Sequence, residues 1–132
     1  MSAQMMMFVA LGGAIGAVAR FLAMSAVGHM AHVWGWAAFP WGTLSVNVSG
    51  AFILGAVLEL SALAWSPSPE IRAMVVVGGL GAFTTFSTFS MDLYHLMERG
   101  ALMGAGLYAV ASVLVCLAAF AAGMHAFRMI LT

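Results

Sequence analysis

The hydrophobic and polar positions of this chain fall into long blocks, with four apolar windows separated by three short polar links. The windows lie at about residues 5–27, 41–63, 71–97 and 101–130. A window of about 20 apolar residues is long enough to cross a bilayer as a helix, and a helix satisfies its own backbone in lipid. The pattern predicts an all-α membrane protein whose four transmembrane helices form one domain, residues 1–132.

Composition places these helices in a bilayer. Hydrophobic residues make up 64% of the chain and charged residues 6%, against averages of about one half and one quarter in soluble domains. Because the chain has no basic run, we expect contacts with membrane lipid and none with nucleic acid. The tryptophans lie in the links or at span ends, where indole rings anchor at the lipid headgroups: Trp34, Trp36, Trp41 and Trp65.

The charged residues leave the direction of insertion undecided. Arg72 and Arg128 lie on the side of the termini, Arg20 and Arg99 lie toward the other side, and lysine is absent. Orientation in the membrane follows an imbalance of such charges, so an even division is what a dual-topology chain that pairs antiparallel would show. Four charges are also few enough to divide evenly by chance, and both interpretations stay open.

An oligomer is expected because four short helices enclose little space for a path across the membrane. Small residues at helical spacing give membrane helices faces for close packing. Two pairs predict such faces: Gly12 with Gly16, and Gly100 with Gly104.

The first two spans supply three of the polar candidate residues. Arg20 either extends to the membrane surface from the last third of its helix or forms a cationic vestibule that attracts anions. Asn47 lies one helical turn after Thr43, on the same face. Its amide either forms a hydrogen bond between helices or lines a pore, where its N–H groups replace water around an anion.

The third span carries two stripes side by side. Thr85, Thr88 and Asp92 share one helical face, and Phe86 and Phe89 share the neighbouring face. The hydroxyls and the phenyl edges both present the positive end of an uncharged group. Cation pathways more often carry carbonyl filters or acidic rings, so this arrangement favours a small anion.

The fourth span has a mildly polar residue every four positions, at Tyr108, Ser112 and Cys116. A single serine in a membrane helix means little, since its hydroxyl can bond to its own helix. Three such residues in register indicate a lined path.

Glycines precede the polar stripe of the third span, in the stretch GGLGAFTTFSTFSMD, residues 78–92. Gly78, Gly79 and Gly81 weaken a helix and permit backbone geometry that other residues avoid, so the third helix is predicted to break near 78–84. Non-helical backbone at membrane depth persists where it is buried in protein or lines a cavity. Its freed carbonyls are natural ligands for a small hard cation.

The sequence lacks the residue clusters that a zinc site or an enzyme active site requires. The histidines and the single cysteine do not cluster at metal-ligand spacing, and no base lies beside a serine at membrane depth, so the chain is not expected to be an enzyme. Glu59, Glu70 and Glu98 lie near span ends and are expected to be interface charges, which leaves Asp92 as the acid nearest the predicted break.

Three stretches, GGAIGAVARF, GTLSVNVSGAFILG and GGLGAFTTFSTFS, resemble the signature blocks of the Fluc (CrcB) family of bacterial fluoride channels. The resemblance implies an antiparallel dual-topology homodimer in the bacterial inner membrane, with two fluoride pores and a structural sodium ion at its centre. It assigns a role to nine positions of this sequence. They are the pore residues Asn47, Phe86 and Phe89, the polar track Thr88, Tyr108 and Ser112, the vestibule arginine Arg20, and the sodium-binding backbone carbonyls of Gly81 and Thr84.

Two positions depart from the family pattern. Asp92 stands where the family often has glutamate, and its side chain is one methylene shorter, so it reaches less far toward the polar track. Cys116 stands where a hydroxyl is expected and forms weaker hydrogen bonds. Asp92 is therefore a secondary site candidate, and Thr43 joins the pore candidates through the face it shares with Asn47.

The expected function is passive, fluoride-selective conduction that exports cytoplasmic fluoride and relieves its toxicity. A proton-coupled transporter of small anions or small molecules, with Asp92 as the proton carrier, is the alternative that the residues leave open.

Overall fold

The computed structural model describes residues 2–132, which form helices joined by short links and contain no strand. The elements in chain order are α1 (Ala3–Val33), α2 (Trp41–Leu63), α3 (Pro69–Ala73), a π-helical segment (Met74–Leu80), α4 (Gly81–Phe83), α5 (Phe86–Glu98) and α6 (Leu102–Leu131). Four helical stretches are long and apolar enough to cross a membrane, the third of them running from Pro69 to Glu98. The all-α, four-span architecture predicted from the hydrophobic pattern is confirmed for these residues.

Glycines set the distance between α2 and α6, which pack against each other along their length. A Cβ atom at Gly55 would collide with the carbonyl oxygen of Phe120, and one at Gly123 would collide with that of Phe52. The two helix backbones are therefore in direct contact at two points. Small residues at such crossings let membrane helices approach closely enough for dispersion forces to hold them together.

The first helix packs against the third span in the same way. A Cβ at Gly12 would meet the carbonyl of Met74, and one at Gly16 would meet that of Gly79. The predicted face of Gly12 and Gly16 thus contacts the chain's own third span. Gly104 has only the Cβ of Ala101 near it among the described residues, at 3.9 Å, so it packs against no other helix of the same chain. Its role in a face between copies stays a prediction.

The third span leaves helical geometry after the glycines, not at them. Gly78, Gly79 and Gly81, predicted to open the helix near 78–84, are helical. The extended residues are Thr84, with φ −86° and ψ 160°, and Thr85, with φ −151° and ψ 119°. The glycines serve close approach to α1 instead, and the extended backbone follows them.

Buried side chains gather at the end of the molecule where α5 meets α6. Tyr108 is fully buried there, beside Leu96 and Ala105, and Phe39 and Phe89 pack against the group. Much of the remaining apolar surface is exposed, as on the outer face of α6. In a membrane protein that surface contacts lipid tails, so the fold depends on backbone proximity and internal hydrogen bonds.

Replacing Gly16 with alanine should destabilise the protein, because the added methyl group would collide with the Gly79 carbonyl and push α1 away from the third span. Overpacking of this kind costs about 1–3 kcal/mol. Gly13→Ala is the matched control, since a Cβ at Gly13 has no atom within 4 Å. Thermal unfolding in detergent measures both, and an equal midpoint for the two variants would contradict this account of the packing.

Candidate functional site

Asn47 binds the backbone of the third span at its extended residues. Its Oδ1 accepts a hydrogen bond from the Thr85 N–H at 2.8 Å, and its Nδ2 donates to the Thr85 carbonyl at 3.0 Å. These bonds satisfy both polar backbone groups of a non-helical residue at membrane depth. The structure thus shows the first of the two interpretations of Asn47, a hydrogen bond between helices, while its role in a pore stays a prediction.

Thr85 is the N-cap residue of α5, and the hydrogen bonds around it differ from those of a continuous helix. In a continuous helix its N–H would donate to Gly81 and that of Thr88 to Thr84. The Thr85 N–H donates to Asn47 instead, and the Thr88 N–H donates to the Thr85 hydroxyl at 3.1 Å. The carbonyls of Gly81 and Thr84 are thereby released from the helical pattern.

Arg20 lies beside this released backbone. Its Nη1 is 3.5 Å from the Thr84 carbonyl oxygen, a long hydrogen bond, and the residue is half-buried. The guanidinium therefore points to the extended residues of the third span, and Thr84 is its partner among residues 2–132.

Asp92 joins three spans. Its Oδ2 accepts a hydrogen bond from the Thr43 hydroxyl at 2.5 Å and one from the Tyr108 hydroxyl at 3.3 Å. Thr43 is 2% exposed and Tyr108 is 0% exposed, so both hydroxyls point into the protein. The shorter aspartate side chain does reach residues of the predicted pore and track, and the sequence alone gave no partner for it.

Aromatic rings form a row along the same face. The ring centroids of Phe86 and Phe89 are 5.3 Å apart, and those of Phe89 and Tyr108 are 5.1 Å apart. Phe39, from the first link, meets Tyr108 edge-on at 5.4 Å and was not among the sequence candidates. Phe86 is 79% exposed, so one end of the row is open at the surface of the chain.

Several of the candidate site residues line a cavity of about 440 Å³. It lies between α2, the third span and α6, and is bounded by residues of all three. Its lining includes Asn47, Thr84, Thr85, Phe86, Phe89, Ser112 and Cys116. Thr43, Thr88 and Tyr108 do not line it: Thr88 bonds to the Thr85 hydroxyl, and the other two surround Asp92.

Ser112 lines this cavity, and its hydroxyl forms no hydrogen bond with the described residues. The residue is 8% exposed. Cys116, one turn further along α6, is half-buried and lines the same space. Ser112 and Cys116 therefore share the cavity with Asn47 and the phenylalanines, while Tyr108, the third residue of the fourth-span stripe, lies outside it.

Glu59 lies near the end of α2, where the sequence predicted an interface charge, but its carboxylate is covered by another side chain of the protein. It is 3% exposed, and its carboxylate forms a two-point ion pair with Arg128, at 2.6 Å from Nε to Oε1 and 3.2 Å from Nη2 to Oε2. The pair ties the end of α2 to the last turn of α6. No local pattern indicated it, because the partners are 69 residues apart.

Comparisons with known proteins cover nearly the whole chain. The family model described as "CrcB-like protein, Camphor Resistance (CrcB)" matches residues 7–124. A protein of Rhodospirillum centenum named "Fluoride-specific ion channel FluC" is 46% identical over 125 residues, covering 95% of this chain and 96% of the relative. Proteins of the same name from Hahella chejuensis and Magnetococcus marinus are 44% and 47% identical, covering 99% and 93% of this chain and 100% and 97% of the relatives.

Proposed function

The chain belongs to the CrcB-like protein family, and we propose that it is a fluoride-selective ion channel that exports cytoplasmic fluoride by passive conduction. It is a multi-pass membrane protein, and we place it in the bacterial inner membrane. Fluoride that is protonated in an acidic exterior enters a cell as neutral HF and ionises again inside. A conduit that lets the anion leave is then a sufficient defence, and no catalysis is required.

The observation that carries this proposal is the chemistry of the cavity between α2, the third span and α6. Its lining is mostly apolar, and the polar groups on it are an amide, hydroxyls and a thiol beside two phenyl rings, with no formally charged side chain. An amide has two N–H groups, and Asn47 commits one to Thr85, so one remains for an anion. The Ser112 hydroxyl is likewise uncommitted.

These groups suit a small anion that must enter and leave. Each offers a partial positive charge, so together they replace part of the hydration shell without binding the anion as tightly as a cation would. Phenylalanine contributes through the positive edge of its ring. We propose that fluoride passes Asn47, Phe86 and Phe89 and then follows the hydroxyls toward Asp92, whose bonds to Thr43 and Tyr108 hold two of them in place.

We also propose an antiparallel homodimer with a sodium ion at its centre. Hard cations take several oxygen ligands, and the carbonyls of Gly81 and Thr84 no longer accept the helical bonds of Thr85 and Thr88. The Thr84 oxygen accepts a long bond from Arg20 and keeps a second lone pair for such an ion. One chain offers too few of these oxygens, so a second copy would complete the set. Bound sodium would supply positive charge that links the two third spans, while Asn47 keeps the carbonyls available.

Purified protein in liposomes should release fluoride down its gradient and retain chloride. Phe86→Ile should lower the fluoride efflux rate by about fivefold, since isoleucine lacks the positive ring edge and a loss of about 1 kcal/mol, as for an aromatic contact, corresponds to that factor in rate. A fluoride electrode measures both. Phe21→Ile, at an exposed position on α1 outside the cavity, is the control.

Two results would contradict the fluoride channel: chloride efflux as fast as fluoride efflux, or an unchanged rate in the Phe86 variant. Uphill fluoride movement driven by an imposed pH gradient would instead indicate a proton-coupled carrier.

Exhaustive replacement of sodium by N-methylglucamine should abolish fluoride efflux and dissociate the dimer, because the repelling carbonyl dipoles of two third spans would lose the ion between them. Readdition of sodium should restore both. Size-exclusion chromatography with light scattering gives the oligomeric state, and the fluoride electrode gives the flux. Full activity from sodium-free monomers would refute this assembly.

A further inference from the structure

A second cavity lies where the first link meets the end of α5. It has a volume of about 350 Å³ and is lined by residues 37–40 of the link and by Asp92, His95, Glu98 and Arg99. Asp92 also bonds to Thr43 and Tyr108. We call this cavity the mouth. Asp92 lines it and also accepts hydrogen bonds from two hydroxyls of the proposed fluoride path, so the mouth adjoins one end of that path.

Arg99 shapes the mouth. Its Nη2 donates to the Ala38 carbonyl at 3.4 Å, and its Nε donates to the His95 carbonyl at 3.3 Å. The guanidinium thus ties the first link to the last turn of α5. Since the residue is exposed, its charge remains at the rim, where it acts on ions that approach the mouth.

The charges around the mouth do not favour an anion when His95 is neutral. Asp92 and Glu98 then oppose Arg99 alone. The link residues 37–40 contribute no titratable side chain, and α2 and α6 contribute the hydroxyls of Thr43 and Tyr108, both bonded to Asp92. The ring of Tyr94 lies 6.5 Å from that of His95. A proton on His95 would balance the two carboxylates.

We propose that His95 sets the rate at which fluoride enters this mouth and makes conduction increase as the pH falls. The inference rests on the proposed fluoride channel. Histidine is the side chain whose ordinary titration lies between about pH 5 and 8. One unit charge acting across several ångströms of water changes the local anion concentration about threefold at low salt, and dissolved ions screen the effect. Conduction would then rise under the acidic conditions that drive HF into a cell.

The test measures fluoride efflux from liposomes that contain the purified full-length protein, with the same pH on both sides because both orientations are present. Between about pH 8 and pH 5.5 the wild-type rate should rise about threefold at low ionic strength and by less at about 1 M impermeant salt. His95→Gln should hold the rate at its high-pH level throughout. His95→Arg should hold it at the low-pH level, which also shows that the variant is folded.

His125→Gln is the matched control, because His125 lies near the far end of α6 and does not line the mouth. It should keep the wild-type pH dependence. If the wild-type protein conducts fluoride at the same rate at every pH, the inference is overturned. It is also overturned if both His95 variants keep the wild-type pH dependence. Absence of fluoride efflux at every pH refutes the channel itself, so the two failures are distinguishable.

Discussion

Two hydrogen bonds from the Asn47 side chain to the backbone of Thr85 support the arrangement of the site. In a bilayer an unpaired N–H or C=O group costs several kcal/mol, so non-helical backbone requires partners from the protein. Asn47 supplies both partners for Thr85. Without them, the third span would have its lowest energy as an uninterrupted helix, in which the Gly81 and Thr84 carbonyls accept ordinary helical hydrogen bonds.

Close backbone packing holds the elements that Asn47 connects. The glycines of α1 contact the third span ahead of the extended residues, and those of α2 and α6 contact each other's backbone. The ion pair between Glu59 and Arg128 links α2 to α6 at one end of their contact. Because α2 also carries Asn47 and α6 carries Ser112, this packing fixes the width of the cavity in which fluoride is proposed to pass.

Sequence patterns predicted the features that depend on local periodicity. The four spans follow from hydrophobic length, and the shared cavity of Ser112 and Cys116 follows from their helical spacing. Features that depend on distant partners were not predictable in this way. The extended residues follow the glycines because an amide 38 positions away selects Thr85, and Glu59 is buried because Arg128 reaches it. The contacts of Asp92 likewise needed Thr43 and Tyr108 brought together by three spans.

Hydrogen exchange at the Thr85 amide tests most directly whether Asn47 maintains the extended backbone. The amide borders the cavity, so exchange reports its hydrogen bond to Asn47 and not only the depth of the membrane. In nanodiscs the Thr85 amide should be protected in the wild-type protein and should exchange about 10- to 100-fold faster in Asn47→Ala, as expected for loss of about 1–3 kcal/mol, with α6 amides unchanged. Equal protection of Thr85 in the two proteins, together with unaltered fluoride efflux, would contradict this role of Asn47.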